Sequence, residues 1–353
     1  MNRKLILPLF LLVQLIGLRI LSLFPETVER FYSNGFYPIL SKISRITLGN
    51  ISFSVGDVIY GIALFFLLKW FWKQRKTWKS EWKSNFLTLI GYVSIFYFLF
   101  NVLWALNYLR IPMYQKLNIE REYSQKDLLL FTKQLIVKTN ALHSQLAKND
   151  SVKIVIPYTQ EQIFEKAQNG YDELAKIYPY LTYRDHSVKP SLISLPLTYM
   201  GFGGYLNPFT NEAQVNDRVP KHNFVVTTAH EMSHQIGIGS ESEANFVGFM
   251  ATIYNDDLYF NYCGYSYALR YCLGNMENFQ EGSTKELISE IHPGILKDFE
   301  ETQQFWDSHQ TFIDVVFHSF YDKFLKINQQ KDGLESYSKF VDLMVNYYKT
   351  KKL

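Results

Sequence analysis

Apolar positions change their spacing twice along this chain. From Leu5 to Phe24 nearly every residue is apolar, interrupted by Gln14 and Arg19, and the run has about the length a helix needs to cross a bilayer core. Ile51 to Trp72 is a second such run, with Asp57 near one end and Lys69 among Trp70, Phe71 and Trp72 at the other, where a lysine can snorkel to the headgroups. Phe86 to Leu106 is the third. The pattern predicts transmembrane helices at about 5–24, 51–72 and 86–106, within a membrane domain spanning residues 1–110. The alternative for the first run is a cleaved signal peptide, but Leu21-Ser22-Leu23-Phe24-Pro25-Glu26 is a poor cleavage site, so a retained anchor is expected. Asp57 and Asn101 are read as interfacial or interhelical polar groups rather than an ion pathway.

After Arg110-Ile111-Pro112 the pattern becomes mixed. Ser124 with Asp127, and Thr159 with Gln162, carry capping signatures that open helices. Leu128, Leu129, Phe131, Leu135, Leu142 and Leu146 give the first of these an apolar stripe. Lys153 to Pro157 reads as a short extended piece. Between Lys189 and Asn216, short runs punctuated by Pro190, Pro196, Gly201, Gly203, Gly204 and Pro208 predict a small sheet with turns. Everything beyond Val219 has helical character. The predicted fold class is mainly α with a small β-sheet, α+β, with residues 111–353 forming one domain.

Composition refines this picture. With 47% hydrophobic and 20% charged residues the chain is not disordered. Residues 1–110 carry 13 basic and 4 acidic groups, a net +9, and the remainder carries 23 basic and 29 acidic, a net −6. A mildly acidic folded part excludes nucleic acid as partner, because phosphate binding needs a concentrated basic face. Lys73, Arg75, Lys76, Lys79 and Lys83 between spans two and three, and Arg3 and Lys4 before span one, place the N-terminus in the cytoplasm. Three crossings then put residues 111–353 outside the cytoplasm, at the cell membrane, together with the Pro25–Asn50 connection. Cys263 and Cys272 are nine residues apart, about 180° around an unbroken helix. They can pair only if Gly264 breaks it.

The chemistry concentrates at His230-Glu231-Met232-Ser233-His234. Residues four apart lie about 40° apart around a helix, so His230 and His234 can share a metal ion. Glu231 stands beside them as the general base that activates a metal-held water without itself being a ligand. Pro220 suits the start of this helix, and Gly237 and Gly239 end it just past His234. Ser240 and the acidic pair Glu241 and Glu243 then open the next helix. Catalytic zinc takes three protein ligands. Glu241 and Glu243 are the candidates for the third, and about 200° apart only one of them can face the metal.

Glu241-Ser242-Glu243-Ala244-Asn245 followed by Phe246 resembles the third-ligand stretch of gluzincin-type enzymes. The resemblance implies Glu241 as the ligand, Glu243 as the alternative, and Asn245 as a group behind the ligands that orients a histidine. Lys189-Pro190-Ser191, Pro208-Phe209-Thr210 with Glu212-Ala213, Tyr262-Cys263-Gly264-Tyr265 and Gly333 to Tyr337 extend the likeness over most of the chain. Together with the three apolar runs they resemble the bacterial membrane family called domain of unknown function 3810, regarded as zinc peptidases. That resemblance implies a zincin-like domain and a zinc cofactor, and no particular substrate. Ser240 stands where a metzincin would have its third histidine.

The expected function is that of a membrane-anchored zinc metallopeptidase acting on peptides or proteins, in contact with membrane lipid. The alternative is a non-catalytic zinc-containing binding or assembly protein of the cell envelope. Transport is disfavoured by the few intramembrane polar residues and the lack of an internal repeat. Glu212, Ala213, Gln214, Val215 and Asn216 are read as a strand along the cleft that either pairs with an extended substrate or is a plain edge. A second oxyanion donor is expected from a Tyr, His or Arg of the C-terminal helices, Tyr337 being one candidate among 25 tyrosines. His143, His186, His222, His292, His309 and His318 show no ligand spacing and are read as surface or capping groups. Tyr254, Tyr259, Phe260 and Tyr262 are read as core packing.

Overall fold

The computed structural model describes residues 3–328 and 336–353, the side chains of Arg3 and 336–338 excepted. The chain is mainly helical with one small sheet. Helix α1 (Ile6–Leu21) leads through α2 (Pro25–Thr27) and a π-helical stretch, Val28–Phe36, into α3 (Tyr37–Leu48). Helices α4 (Val55–Gln74) and α5 (Trp82–Leu103) follow, then α6 (Met113–Leu117), α7 (Gln125–Leu146) and α8 (Gln160–Ile177). Strands β1 (Val188–Pro190), β2 (Gly204–Leu206) and β3 (Ala213–Val215) enclose α9 (Ser194–Tyr199). The remainder is helical: α10 (Lys221–Gln235), α11 (Glu241–Ile253), α12 (Leu258–Phe279), α13 (Lys285–Ser289), α14 (Pro293–Asp307), α15 (Phe312–Ile327) and α16 (Ser336–Tyr348).

Helices α4 and α5 are long and apolar enough to cross a membrane, and most of their apolar side chains are exposed. The first run departs from its predicted 5–24 span. Its α-helix has only 16 residues, about 24 Å at 1.5 Å per residue against a hydrocarbon core of about 30 Å. It qualifies only together with the Pro25–Leu48 helix, from which it is bent by 100°. Among the described residues there are therefore two helices long and apolar enough to span a membrane, or three if the bent pair is one span. The Pro25–Asn50 connection is also helical, with one face buried through Val28, Tyr32, Tyr37 and Ser41.

Both predicted capping boxes are present. Ser124 Oγ accepts from the Asp127 amide and Thr159 Oγ1 from the Gln162 amide, and the acceptor in each third position returns the bond. The apolar stripes of α7, α8, α10, α11, α12 and α16 then meet in one core around Leu135, Ile163, Tyr171, Phe249 and Met344. Phe260 and Tyr262 are fully buried in it, as read. Helix α12 runs unbroken through Gly264, where a Cβ would lie 2.3 Å from Thr252 Oγ1. Gly264 thus allows close packing rather than a break, and Cys263 and Cys272 are buried free thiols.

The sheet has the order β1-β3-β2, with β3 parallel to β1 and antiparallel to β2. The segment Glu212–Asn216 is therefore its central strand and cannot accept a substrate strand, because both of its edges are taken. Ala213 and Val215 fill the core. Gln214 packs its amide against Asp57 and Ser54, and Asn216 donates to Thr198 Oγ1 and the Phe202 carbonyl, both at 2.9 Å. Glu212 accepts from the Val55 and Gly56 amides at 3.1 and 2.6 Å, the place where a carboxylate complements a helix N-terminus. Lys189 Nζ closes the group at 2.6 Å from Glu212 Oε1, with both side chains buried. Asp57 accepts in turn from Tyr205, from Ser191 Oγ at 2.9 Å and from the Leu192 amide at 2.8 Å. The end of α4 is thus bound to the sheet by buried polar groups.

Lys189→Met should destabilise the protein by about 3–5 kcal/mol, because it strands a buried carboxylate, and Lys189→Met/Glu212→Gln should recover most of that loss. Chemical unfolding in detergent, followed by circular dichroism, measures both.

Candidate metal centre

Helix α10 begins after Pro220 and buries Phe224, Val225, Val226, Ala229 and Met232, which fixes the face that His230 and His234 present. Their Nε2 atoms lie 3.1 Å apart. Gly237, at φ +87°, turns the chain sharply after His234, a conformation that a side-chain-bearing residue resists. Helix α11 then crosses α10 so closely that a Cβ on Gly248 would lie 2.9 Å from the His230 backbone nitrogen. This crossing brings Glu241 back over the histidines.

Glu241 Oε2 lies 3.3 Å from His230 Nε2 and 3.7 Å from His234 Nε2. Glu243 points elsewhere, accepting from the Met113 amide at 2.6 Å. Zinc bonds of about 2.0–2.1 Å at tetrahedral angles place neighbouring donors about 3.4 Å apart, so the three atoms have the spacing of one face of such a site. His234 Nδ1 lies 2.6 Å from the Ile238 carbonyl, which fixes the proton there and leaves Nε2 for a metal. Asn245 was expected to orient a histidine, but its Oδ1 accepts from Tyr267 at 2.9 Å. The orienting acceptor is a backbone carbonyl that the α10–α11 turn supplies.

Glu231 is buried, and its Oε2 has no hydrogen-bond partner. Burial pushes its carboxyl up to about 7, against the pull of the two imidazoles. Burial likewise opposes ionisation of Glu241, but His234 and His230 outweigh it and hold that carboxyl well below the usual range. The charge of Glu241 raises His234 to about 9 in spite of burial. Strand β2 lies directly over Glu231, where a Cβ on Gly204 would sit 2.9 Å from Glu231 Oε1. Among the described residues β2 pairs only with β3, so the outer sheet edge beside the site belongs to Gly204–Leu206 rather than to Glu212–Asn216.

The group lies in a cavity of about 930 Å³, walled by β2, α10, α12 and α15. Tyr321 on α15 donates to Glu241 Oε1 at 2.8 Å, and Asp314 and His318, 3.0 Å apart, line the same wall. Tyr321 had no sequence signal among 25 tyrosines. The Tyr337 side chain and the Gly333–Glu335 segment lie outside the described residues.

The back of the centre comes from the N-terminal third. The Tyr37 hydroxyl lies 3.0 Å from the Gln235 carbonyl and 3.3 Å from that of His234, and Ser41 Oγ donates to Gln235 at 3.0 Å. Trp104 Nε1 donates to His234 at 3.3 Å, and Arg110 Nη1 to Gly237 at 2.6 Å. These groups satisfy carbonyls at the end of the helix, of which that of His234 also accepts from the Gly237 amide at 2.9 Å.

Residues 32–345 match the family model described as Protein of unknown function (DUF3810). The chain belongs to this family. The match to DUF3810 takes in α3 to α15, and therefore every residue of the His230, His234 and Glu241 group together with Tyr37, Trp104 and Arg110 behind it. Neither the curated proteins nor the solved structures contain a match to this DUF3810 chain.

With His234 held at about 9 by Glu241, zinc binding near pH 7.5 should displace about one proton. Its affinity should therefore rise with pH up to about 9 and level off above it. Calorimetric titration in buffers of different ionisation enthalpy measures the proton count.

Proposed function

We propose that this protein is a membrane-anchored zinc metallopeptidase whose reactive centre is His230, His234, Glu241 and Glu231. One observation carries the reading. Three donor atoms converge at tetrahedral spacing on the cavity wall, beside a buried carboxylate that has one oxygen without a partner. Two imidazoles and one carboxylate suit zinc. Zinc bound there supplies Lewis acidity and lowers the pKa of the water it holds.

The chain's own residues do the rest. Glu231, with its affinity for a proton raised by burial, takes the proton from the attacking water and passes it to the leaving amine. The Tyr321 hydroxyl, next to Glu241, turns to donate to the oxyanion that forms on the scissile carbonyl. The free edge of β2 pairs with an extended peptide and aligns it past Glu231. The basic residues between α4 and α5 support a cytoplasmic connection there and a reactive domain outside, with a cytoplasmic N-terminus where the bent first pair is a third span.

Helix α15 bears on where substrate is met. Phe312, Val315, Val316 and Ile327 are exposed on one side of it, while Asp314, His318 and Tyr321 line the cavity on the other. Phe324 packs on Phe100 of α5 at 5.7 Å between ring centroids. This apolar face continues the apolar surface of α5, which supports hydrolysis of peptides presented at the membrane surface.

Glu231→Gln should retain zinc and lose peptidase activity by about 10²–10⁴-fold, and Tyr321→Phe should lower kcat by about 10²–10³-fold with zinc retained. Metal analysis and a peptide-library assay on the full-length protein decide. Loss of zinc in Glu231→Gln would make Glu231 a fourth ligand and favour the non-catalytic envelope protein.

A further inference from the structure

A second set of metal-binding side chains meets away from the cavity, on residues that the sequence scatters. His143 ends α7, Asp150 sits in the turn that follows it, and His292 precedes α14. His143 Nδ1 and His292 Nδ1 are 3.3 Å apart, and His292 Nδ1 is 3.4 Å from Asp150 Oδ1. All three donor atoms fall within 4.8 Å of one another. The two measured separations match the donor spacing of about 3.4 Å that tetrahedral zinc sets, as the His230, His234 and Glu241 group does.

Protonation is set for a metal as well. His143 Nε2 lies 2.8 Å from the Val152 carbonyl and holds the ring proton there, so the Nδ1 lone pair faces His292 and Asp150. His143 is fully buried. The framework is rigid. The Gly294 amide donates to the Asp150 carbonyl at 2.8 Å, and the His292 amide to Asn140 Oδ1 at 3.1 Å. A Cβ on Gly294 would lie 2.3 Å from the Val152 carbonyl oxygen, so the N-terminus of α14 is pressed against the turn.

The dipole of α7 favours a cation at its C-terminal end, that of α14 disfavours one at its N-terminus, and the Asp150 carboxylate tips the balance. In a third cluster, His222, Asp298 and Glu301, several of the ligand atoms are already engaged, although Asp298 Oδ1 is buried without a partner. His222 Nε2 pairs with Thr302 Oγ1 at 2.6 Å, and Asp298 Oδ2 accepts from Tyr262 and from the Ile154 amide.

We propose that His143, Asp150 and His292 form a second zinc site, independent of the reactive centre, that clamps α7 to α14. Two imidazoles and a carboxylate select zinc over calcium or magnesium. Asp150 is largely exposed, so this site exchanges its metal with solvent. Without metal, the same contact is a hydrogen bond between the two imidazoles, and that arrangement is what the experiment distinguishes.

The test uses full-length protein in detergent, equilibrated with zinc, freed of unbound metal and assayed by elemental analysis. Wild type should hold two equivalents, His230→Ala/His234→Ala one, and the same variant with His292→Asn none. Zinc should also raise the unfolding temperature of His230→Ala/His234→Ala, and that increment should vanish on adding His292→Asn. If His230→Ala/His234→Ala does not fold, His292→Asn alone should lower the wild-type count by one. A single wild-type equivalent that His292→Asn leaves in place overturns the second site while sparing the peptidase reading. A single equivalent that His292→Asn removes sinks the peptidase reading while sparing this site.

Discussion

The last turn of α10 leaves carbonyls that no helix can satisfy, and the whole arrangement depends on what meets them. Water would serve at a surface, but here the carbonyls of His234, Gln235 and Gly237 are buried against Tyr37, Ser41, Trp104 and Arg110. A buried backbone acceptor without a donor costs about 1–3 kcal/mol, so the end of the metal-motif helix and the N-terminal third stabilise each other. The donors come from α3 and from the segment just after α5, where the chain leaves its apolar part. The N-terminal third is therefore a structural part of the site.

A similar coupling acts at the sheet. Glu212 and Asp57 are carboxylates with low exposure, and each has several donors: Glu212 takes the first amides of α4 and the Lys189 ammonium, and Asp57 takes Tyr205, Ser191 and the Leu192 amide. Charge can stay in such places only when hydrogen bonds replace water. Both links run through the strand-rich segment that also sets β2 over Glu231. The position of that catalytic candidate thus depends on the α4 contact.

Within the centre, one low-dielectric pocket treats two carboxyls oppositely. Glu241 faces both imidazoles and Tyr321 and stays ionised, while Glu231, more deeply buried and with an unpartnered oxygen, gains proton affinity. A ligand must remain an anion, and a base must be able to take and return a proton. The difference arises from which atoms each side chain touches, and one sequence position separates Glu231 from His230.

What the residues alone determined is what short-range geometry controls. The capping boxes at Ser124 and Thr159, the apolar character of α4 and α5, the placing of His230 and His234 on one helix face and the location of the sheet all follow from neighbours within about one turn or one strand. The opposed faces of Cys263 and Cys272 on α12 follow in the same way. Tertiary structure alone decided the central place of β3, the bend after α1, the pairing of Asn245 with Tyr267, the arrival of Tyr321, and the meeting of His143 with His292 across 149 positions. Such contacts depend on the crossing of packed elements, and a local pattern carries no record of which distant surface will cover it. Glu241 lies between the two cases: its register was legible by resemblance, but its distance to the histidines is set by Gly237 and by the close α10–α11 crossing at Gly248.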